Sequence, residues 1–382
     1  MKVRYTFLDG LKTIICLFVF TGHYFVDFCI EDIFPLNSPL YRAGMLLLYG
    51  CYTVPLFCAI SGFLAVQKRI EKSWELVLTC TNRFLRFELP IVFLIGAVMF
   101  LNKKGLFVWG DLLAQRLVNK QLALNYTYDS HYTWLFRKPF WELHLYDNPL
   151  WMIGSLFAGN ILLYLFKYLQ TLCQRFLSKW RGRAFLLLTM ALFFFLSRND
   201  IPLLATLLGG CYGLARQFHR AGQSGTTAQA VPHSGRQIRT SCLAYGILIL
   251  LLVLNSYLYF GRNFHFEHFP RYYEWAGLAT ALGILHLTFT FHLLQNVLAA
   301  KPLTALSGLS FAIYIVHYPL IGLLSCPMIY LLWDRLPYVP LVLMTFAATS
   351  AVCFLLAFAY NRIVERPCYA VIRRVISFLQ EN

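Results

Sequence analysis

Charge is what this sequence has least of: Asp, Glu, Lys and Arg make up 13% of its 382 residues. A water-soluble fold of this length needs more to cover its surface, which argues against a soluble all-helical protein. Paired cysteines are missing too. The 11 cysteines stand singly, with no C-x-x-C and no metal-ligand spacing. They read as small apolar packing residues, and no metal site is expected. The opening MKVRYTFLDG shows no cleavage site and runs on into a long apolar stretch, so it is expected to begin a first transmembrane helix rather than a removed leader. No internal repeat is visible.

What the chain does have is apolar and aromatic surface, 59% hydrophobic residues with 34 Phe and 23 Tyr. Runs of about 20 such residues recur, the length that crosses a bilayer as helix. The expected fold is an all-α, polytopic transmembrane bundle of about ten helices, near 7–29, 44–66, 80–101, 149–169, 184–198, 201–216, 241–260, 273–293, 303–331 and 339–361. The fifth and sixth are short and split only by SRNDIP. They fit a helical hairpin, tilted helices or even a single re-entrant unit.

The net charge of +16 does not point to nucleic acid, because the basic residues sit in loops between spans. VQKRIEK, KYLQTLCQRFLSKWRGR, the 217–240 loop and the tail 366–382 fall on one side, which the positive-inside rule makes cytoplasmic, with both termini. The expectation is one membrane-embedded domain, 1–382. Its segment 102–148, external and aromatic-rich, has the length of a lid, and its 217–240 segment has the composition of a flexible linker.

Ionisable residues inside spans face cavities and pair with one another. Asp9, Lys12, His23 and Asp27 interrupt the first helix. Asp9 and Lys12 are three apart and suit a local ion pair. His23 and Asp27 are four apart, so the carboxylate can fix the imidazole tautomer and raise its basicity, or each can make a plain structural contact. Lys12 and His23, eleven apart, share a face about 16 Å apart along the axis. In NRFLRFELP, Arg83 and Arg86 share one side before Pro90, which is expected to end or kink the entry. The pair suits phosphate binding, or snorkelling to lipid head groups with Glu88 as partner. His317 in GLSFAIYIVHYPL lies near the depth of His23, as a second polar group of the site or as a satisfied bundle histidine. In NRIVERPCY, Glu365 between Arg362 and Arg366 reads as a salt-bridged helix end.

FLDGLKTIICLFVFTGHYF, YTVPLFCAISGFLAVQKR, RFLRFELP, NPLWMIGSLFAGNILLY, LSFAIYIVHYPL and IVERP occur in that order from Phe7 to Pro367. Together they resemble the bacterial integral-membrane acyltransferases called acyltransferase family three, which includes polysaccharide O-acetyltransferases. The family's basic residue, ten positions, then histidine is matched by Lys12 and His23, and its paired arginines before proline by Arg83, Arg86 and Pro90. The resemblance implies an acyl-CoA donor, with acetyl the family's commonest choice. It implies a hydroxyl of a cell-surface carbohydrate or lipid-linked sugar as acceptor, and residence in the bacterial cytoplasmic membrane. It also implies catalysis by His23 and donor binding or site architecture by Lys12, Arg83 and Arg86; Asp27 joins His23 as a candidate catalytic residue on spacing alone, and His317 on depth alone.

Two departures stand out. DGLKT replaces the usual DGLRG, and Leu156 stands where relatives commonly carry a glutamate. An inactive member is therefore one alternative. Another is a transporter or flippase lined by Lys12, His23, Asp27 and His317.

Overall fold

The structure, a computed structural model, describes residues 4–28, 52–116, 150–223 and 272–381, with Gly246 and Leu250 as single positions. Every regular element described is helical: α1 Thr6–Asp27, α2 Thr53–Ala65, α3 Ser73–Lys103, α4 Val108–Arg116, α5 Trp151–Phe176, α6 Lys179–Ser197, α7 Ile201–Gln223, α8 Tyr272–Thr290, α9 His292–Leu298, α10 Lys301–Leu306, α11 Ser310–Leu320, α12 Cys326–Leu332, α13 Tyr338–Tyr360 and α14 Arg366–Glu381. A 3-10 turn, Ser307–Leu309, precedes α11. Two π-helical turns, Ile321–Ser325 and Asn361–Glu365, lead into α12 and α14.

Six helices are long and apolar enough to cross a membrane, or seven if the bent pair α8–α9 is one span. Their outward faces are apolar, the inverse of a soluble helix: Leu188 on α6 is 70% exposed and Leu355 on α13 is 71% exposed. In water such faces would aggregate; against lipid tails they are at home. The protein is a multi-pass integral membrane protein.

Several boundaries differ from the sequence reading. Helix α3 begins at Ser73 rather than near 80, because Glu75 Oε2 accepts the N–H groups of Glu71 (2.8 Å) and Lys72 (3.4 Å) and caps the first turn. Hydropathy marks where lipid begins, not where the helix does. Pro90 does not end it, since α3 runs through to Lys103. The fifth and sixth expected helices are two separate helices, α6 of 19 residues and α7 of 23, and of the two α6 is among the six long and apolar enough to cross a membrane. Helix α7 continues to Gln223, so 217–223 is helix rather than linker; Gln217 donates to Val66 O (3.1 Å) just past the end of α2. Within the expected external segment, 108–116 is helical, and the expected tail is mostly α14. The expected helix 273–293 breaks at Phe291, whose extended backbone turns the chain by 98°. The start of the second expected helix, 117–148, 224–240, and the expected helix 241–260 apart from Gly246 and Leu250 lie outside the described residues.

Two compact units make up the chain. The first comprises Met1–Leu11, Gly50–Thr81 and Ser155–Thr304. Its α2 and α7 meet backbone to backbone. A Cβ on Gly62 would stand 1.8 Å from the Thr206 carbonyl oxygen, and one on Gly209 2.0 Å from that of Ala59. Only glycine permits this approach, the small-residue packing that substitutes for hydrophobic drive inside lipid. Buried polar side chains described here find partners: Asn160 donates to Ser61 Oγ (3.1 Å) and Leu156 O (2.6 Å), and Ser155 donates to Asp200 (2.6 Å).

The second unit comprises Lys12–Tyr49, Asn82–Gly154 and Ala305–Asn382. Here α1 runs parallel to α11. Cys16 Sγ donates to Ser310 O (3.0 Å), and the Thr13 and Ser310 hydroxyls lie 3.5 Å apart. Helix α13 closes on α1 through Tyr24, whose hydroxyl donates to Val342 O (3.0 Å) and meets Thr345 Oγ1 (2.6 Å). Phe346 packs against Phe20, Tyr24 and Phe25 above that bond. Tyr360 donates to Pro90 O and ties α13 to α3.

Candidate active site

The second unit holds Lys12, His23, Asp27, Arg83, Arg86 and His317, and it brings two of them together across helices. The ring centroids of His23 and His317 are 5.5 Å apart and tilted by 36°. The parallel course of α1 and α11, fixed one end below by Ser310, sets this pairing. Aromatic rings surround it: Tyr318 lies 5.6 Å from His23, and Phe20 and Tyr314 lie 5.8 and 6.1 Å from His317.

The two imidazoles are not equivalent. His23 is half-buried; His317 is 0% exposed. His317 Nδ1 is 3.2 Å from Ile313 O. A carbonyl only accepts, so Nδ1 carries the proton and Nε2 keeps its lone pair when the ring is neutral. That Nε2 is buried with no hydrogen-bond partner among the described residues. Leaving such an atom unpaired costs on the order of 1–3 kcal/mol, a cost that a ligand hydroxyl would relieve. Asp27, read from its spacing as the partner of His23, closes α1, but its side chain lies outside the described residues.

Lys12 is half-buried on the same face of α1, about 16 Å before His23. Asp9, expected to pair with it, takes Nε and Nη2 of Arg4 on one carboxylate oxygen, each at 3.3 Å.

On α3, Arg83 lays its guanidinium over Phe87 at 4.6 Å, and Arg86 lays its own over Tyr369 of α14 at 4.7 Å. Stacking occupies the flat face of a guanidinium, and the N–H edge of Arg86 is left for an anion. Arg86 is exposed and has no carboxylate partner among the described residues. Glu88 does not serve as one. It is 7% exposed with Oε2 unpartnered, because two residues past Arg86 a side chain points to the other side of the helix.

Glu365 corrects the sequence reading as well. Far from being an exposed salt-bridged end, it is 1% exposed and accepts the Asn361 side-chain amide; Arg366 Nε donates to Asn361 Oδ1 (3.0 Å) instead. The π turn supplies the reason. One extra residue in a turn rotates the downstream helix by about 100°, which carries Glu365 inward while Arg362 and Arg366 stay outside.

Leu156 is fully buried in the first unit, and its carbonyl accepts the side-chain amide of Asn160, one turn on. Residues the sequence reading passed over include Tyr318, which immediately follows His317, and Tyr369, four positions after Glu365. Among the described residues no cluster of three or more His, Cys, Asp or Glu could hold a metal ion.

A family model described as an acyltransferase domain matches residues 5–358, which take in α1 and nearly all of α13. Neither the curated proteins nor the solved structures offer a match.

Proposed function

The chain belongs to this acyltransferase family, and from that premise we propose that it moves an acyl group, acetyl being the family's commonest choice, from acyl-CoA to a hydroxyl of a cell-surface carbohydrate or lipid-linked sugar. The observation that carries the reading is the His23–His317 pair, with Lys12 on the same face of α1 about 16 Å away. That span suits the neutral pantetheine arm, with the nucleotide phosphates on Lys12, Arg83 and Arg86 at the cytoplasmic mouth that loop charge assigns to this end.

His23, the more accessible imidazole, takes the proton of the attacking hydroxyl. The hydroxyl oxygen forms its bond to the thioester carbonyl carbon, the C–S bond breaks, and the imidazolium returns its proton to the departing thiolate. His317 Nε2 accepts a hydrogen bond from the acceptor and orients it. Sugars present neighbouring hydroxyls, so one substrate can engage both imidazoles, a match a simple monohydric alcohol lacks. Asp27 acts as the carboxylate that steadies His23.

The test is thiol release from acetyl-CoA by purified protein in nanodiscs. His23→Ala is expected to abolish it while the variant still inserts and elutes as wild type. Full turnover in that variant would remove His23 from the mechanism.

A further inference from the structure

The arginines have a second wall. Across from α3, the Asn361–Glu365 π turn and the first turn of α14 present Glu365 and Tyr369. Asn361 anchors the turn: its amide donates to Gly308 O (3.0 Å) and to Glu365 Oε2. Glu365 Oε1 is buried and has no hydrogen-bond partner among the described residues. Tyr369 backs the face of Arg86, and its hydroxyl lies within electrostatic reach of Glu365, Arg86 and Arg83. Tyr360, one residue before the bulge, holds Pro90 O, so the same stretch of α3 is fixed at both ends.

A buried carboxylate oxygen with no donor is costly, and inside lipid no bulk water offsets it. One helical turn on, Tyr369 stacks on Arg86, a cation with no carboxylate partner among the described residues. An anion alone would satisfy the arginine and repel the carboxylate; a ligand carrying both phosphate and N–H donors would satisfy both. We propose that Glu365 and Tyr369 complete the donor site: Tyr369 is a positioning residue that holds Arg86 edge-on to a phosphate, and Glu365 accepts an N–H of the same ligand. The inference rests on the donor reading of Arg83 and Arg86. It adds the ligand class that this wall selects, a phosphorylated carrier bearing amide or amino N–H groups, over a bare phosphate.

Substitution chemistry makes the idea testable. In Glu365→Gln the single carbonyl oxygen must serve Asn361, which turns the –NH2 to the place of Oε1, donor against donor. Tyr369→Phe keeps the ring under Arg86; Tyr369→Leu removes it. The measurement is calorimetric titration of the full-length protein in detergent with three probes: CoA, 4′-phosphopantetheine, which has amide N–H groups, and pyrophosphate, which has none. Glu365→Gln is expected to weaken CoA and phosphopantetheine about tenfold and leave pyrophosphate within twofold. Tyr369→Leu is expected to weaken all three about fivefold, with Tyr369→Phe restoring them. Equal weakening of pyrophosphate by Glu365→Gln, or unchanged CoA affinity, overturns the proposal. Arg86→Gln separates the two levels. If it leaves CoA binding intact, the donor reading itself has failed; if it weakens CoA while Glu365→Gln and Tyr369→Leu do not, only the second wall has.

Discussion

The two units differ in how they treat buried polar atoms. In the first, Asn160, Ser61, Ser155 and Asp200 bond one another or main chain, and the glycines of α2 and α7 press backbone on backbone. In the second, Glu88, His317, Ser350 and Glu365 each keep a buried polar atom with no partner among the described residues. Satisfied networks rigidify, whereas unsatisfied ones persist where a ligand, a water or strain explains them. Under the proposed function the first unit is scaffold and the second carries the chemistry, since His23, His317, Arg83 and Arg86 all belong to the second.

Substitutions in one unit should therefore change rate or affinity, and in the other stability. The largest effect belongs to His23→Ala, expected to lower kcat by about 10²–10⁴-fold, the usual worth of a general base, with melting temperature nearly unchanged. Steady-state thiol release with a thermal melt reads both. Next comes the double change Arg83→Gln with Arg86→Gln. Losing two charge-assisted contacts should raise KM for acyl-CoA about 100-fold while kcat moves little. An effect confined to acceptor KM would place the arginines elsewhere. Asn160→Ala supplies the contrast. It should destabilise the protein by about 1–3 kcal/mol in a denaturant titration and leave KM within twofold, because it removes the bonds to Ser61 Oγ and Leu156 O and opens a small gap. A large kcat loss there would erase the division between units. The smallest change is Lys12→Arg, which restores the family's planar fork and should lower acyl-CoA KM only a few-fold.

Much of this contrast is legible in the sequence, and the exceptions are instructive. Helices α1, α5, α6 and α13 follow from apolar run length, and the Lys12–His23 spacing on one face follows from helix periodicity alone. The pairing of His23 with His317 depends on two helices far apart in sequence running parallel, which no local pattern encodes; only their similar depth hints at it. Glu365 misleads for a different reason. Its flanking arginines are what a surface ion pair looks like in sequence, and the extra residue of the π turn that buries it has no compositional signature. Glu88 misleads by simpler geometry: proximity in sequence suggests a partner for Arg86, but the helix turns it away.

The central claim is that the second unit transfers an acyl group rather than moving or merely sensing a substrate. Purified protein in nanodiscs, given acetyl-CoA with and without a carbohydrate acceptor, tests it most directly by following free thiol and acylated sugar together. The account predicts acceptor-dependent thiol release matched one for one by O-acyl sugar, and neither product with His23→Ala. Binding of acetyl-CoA, or passage of substrate across the bilayer, without thiol release would contradict it.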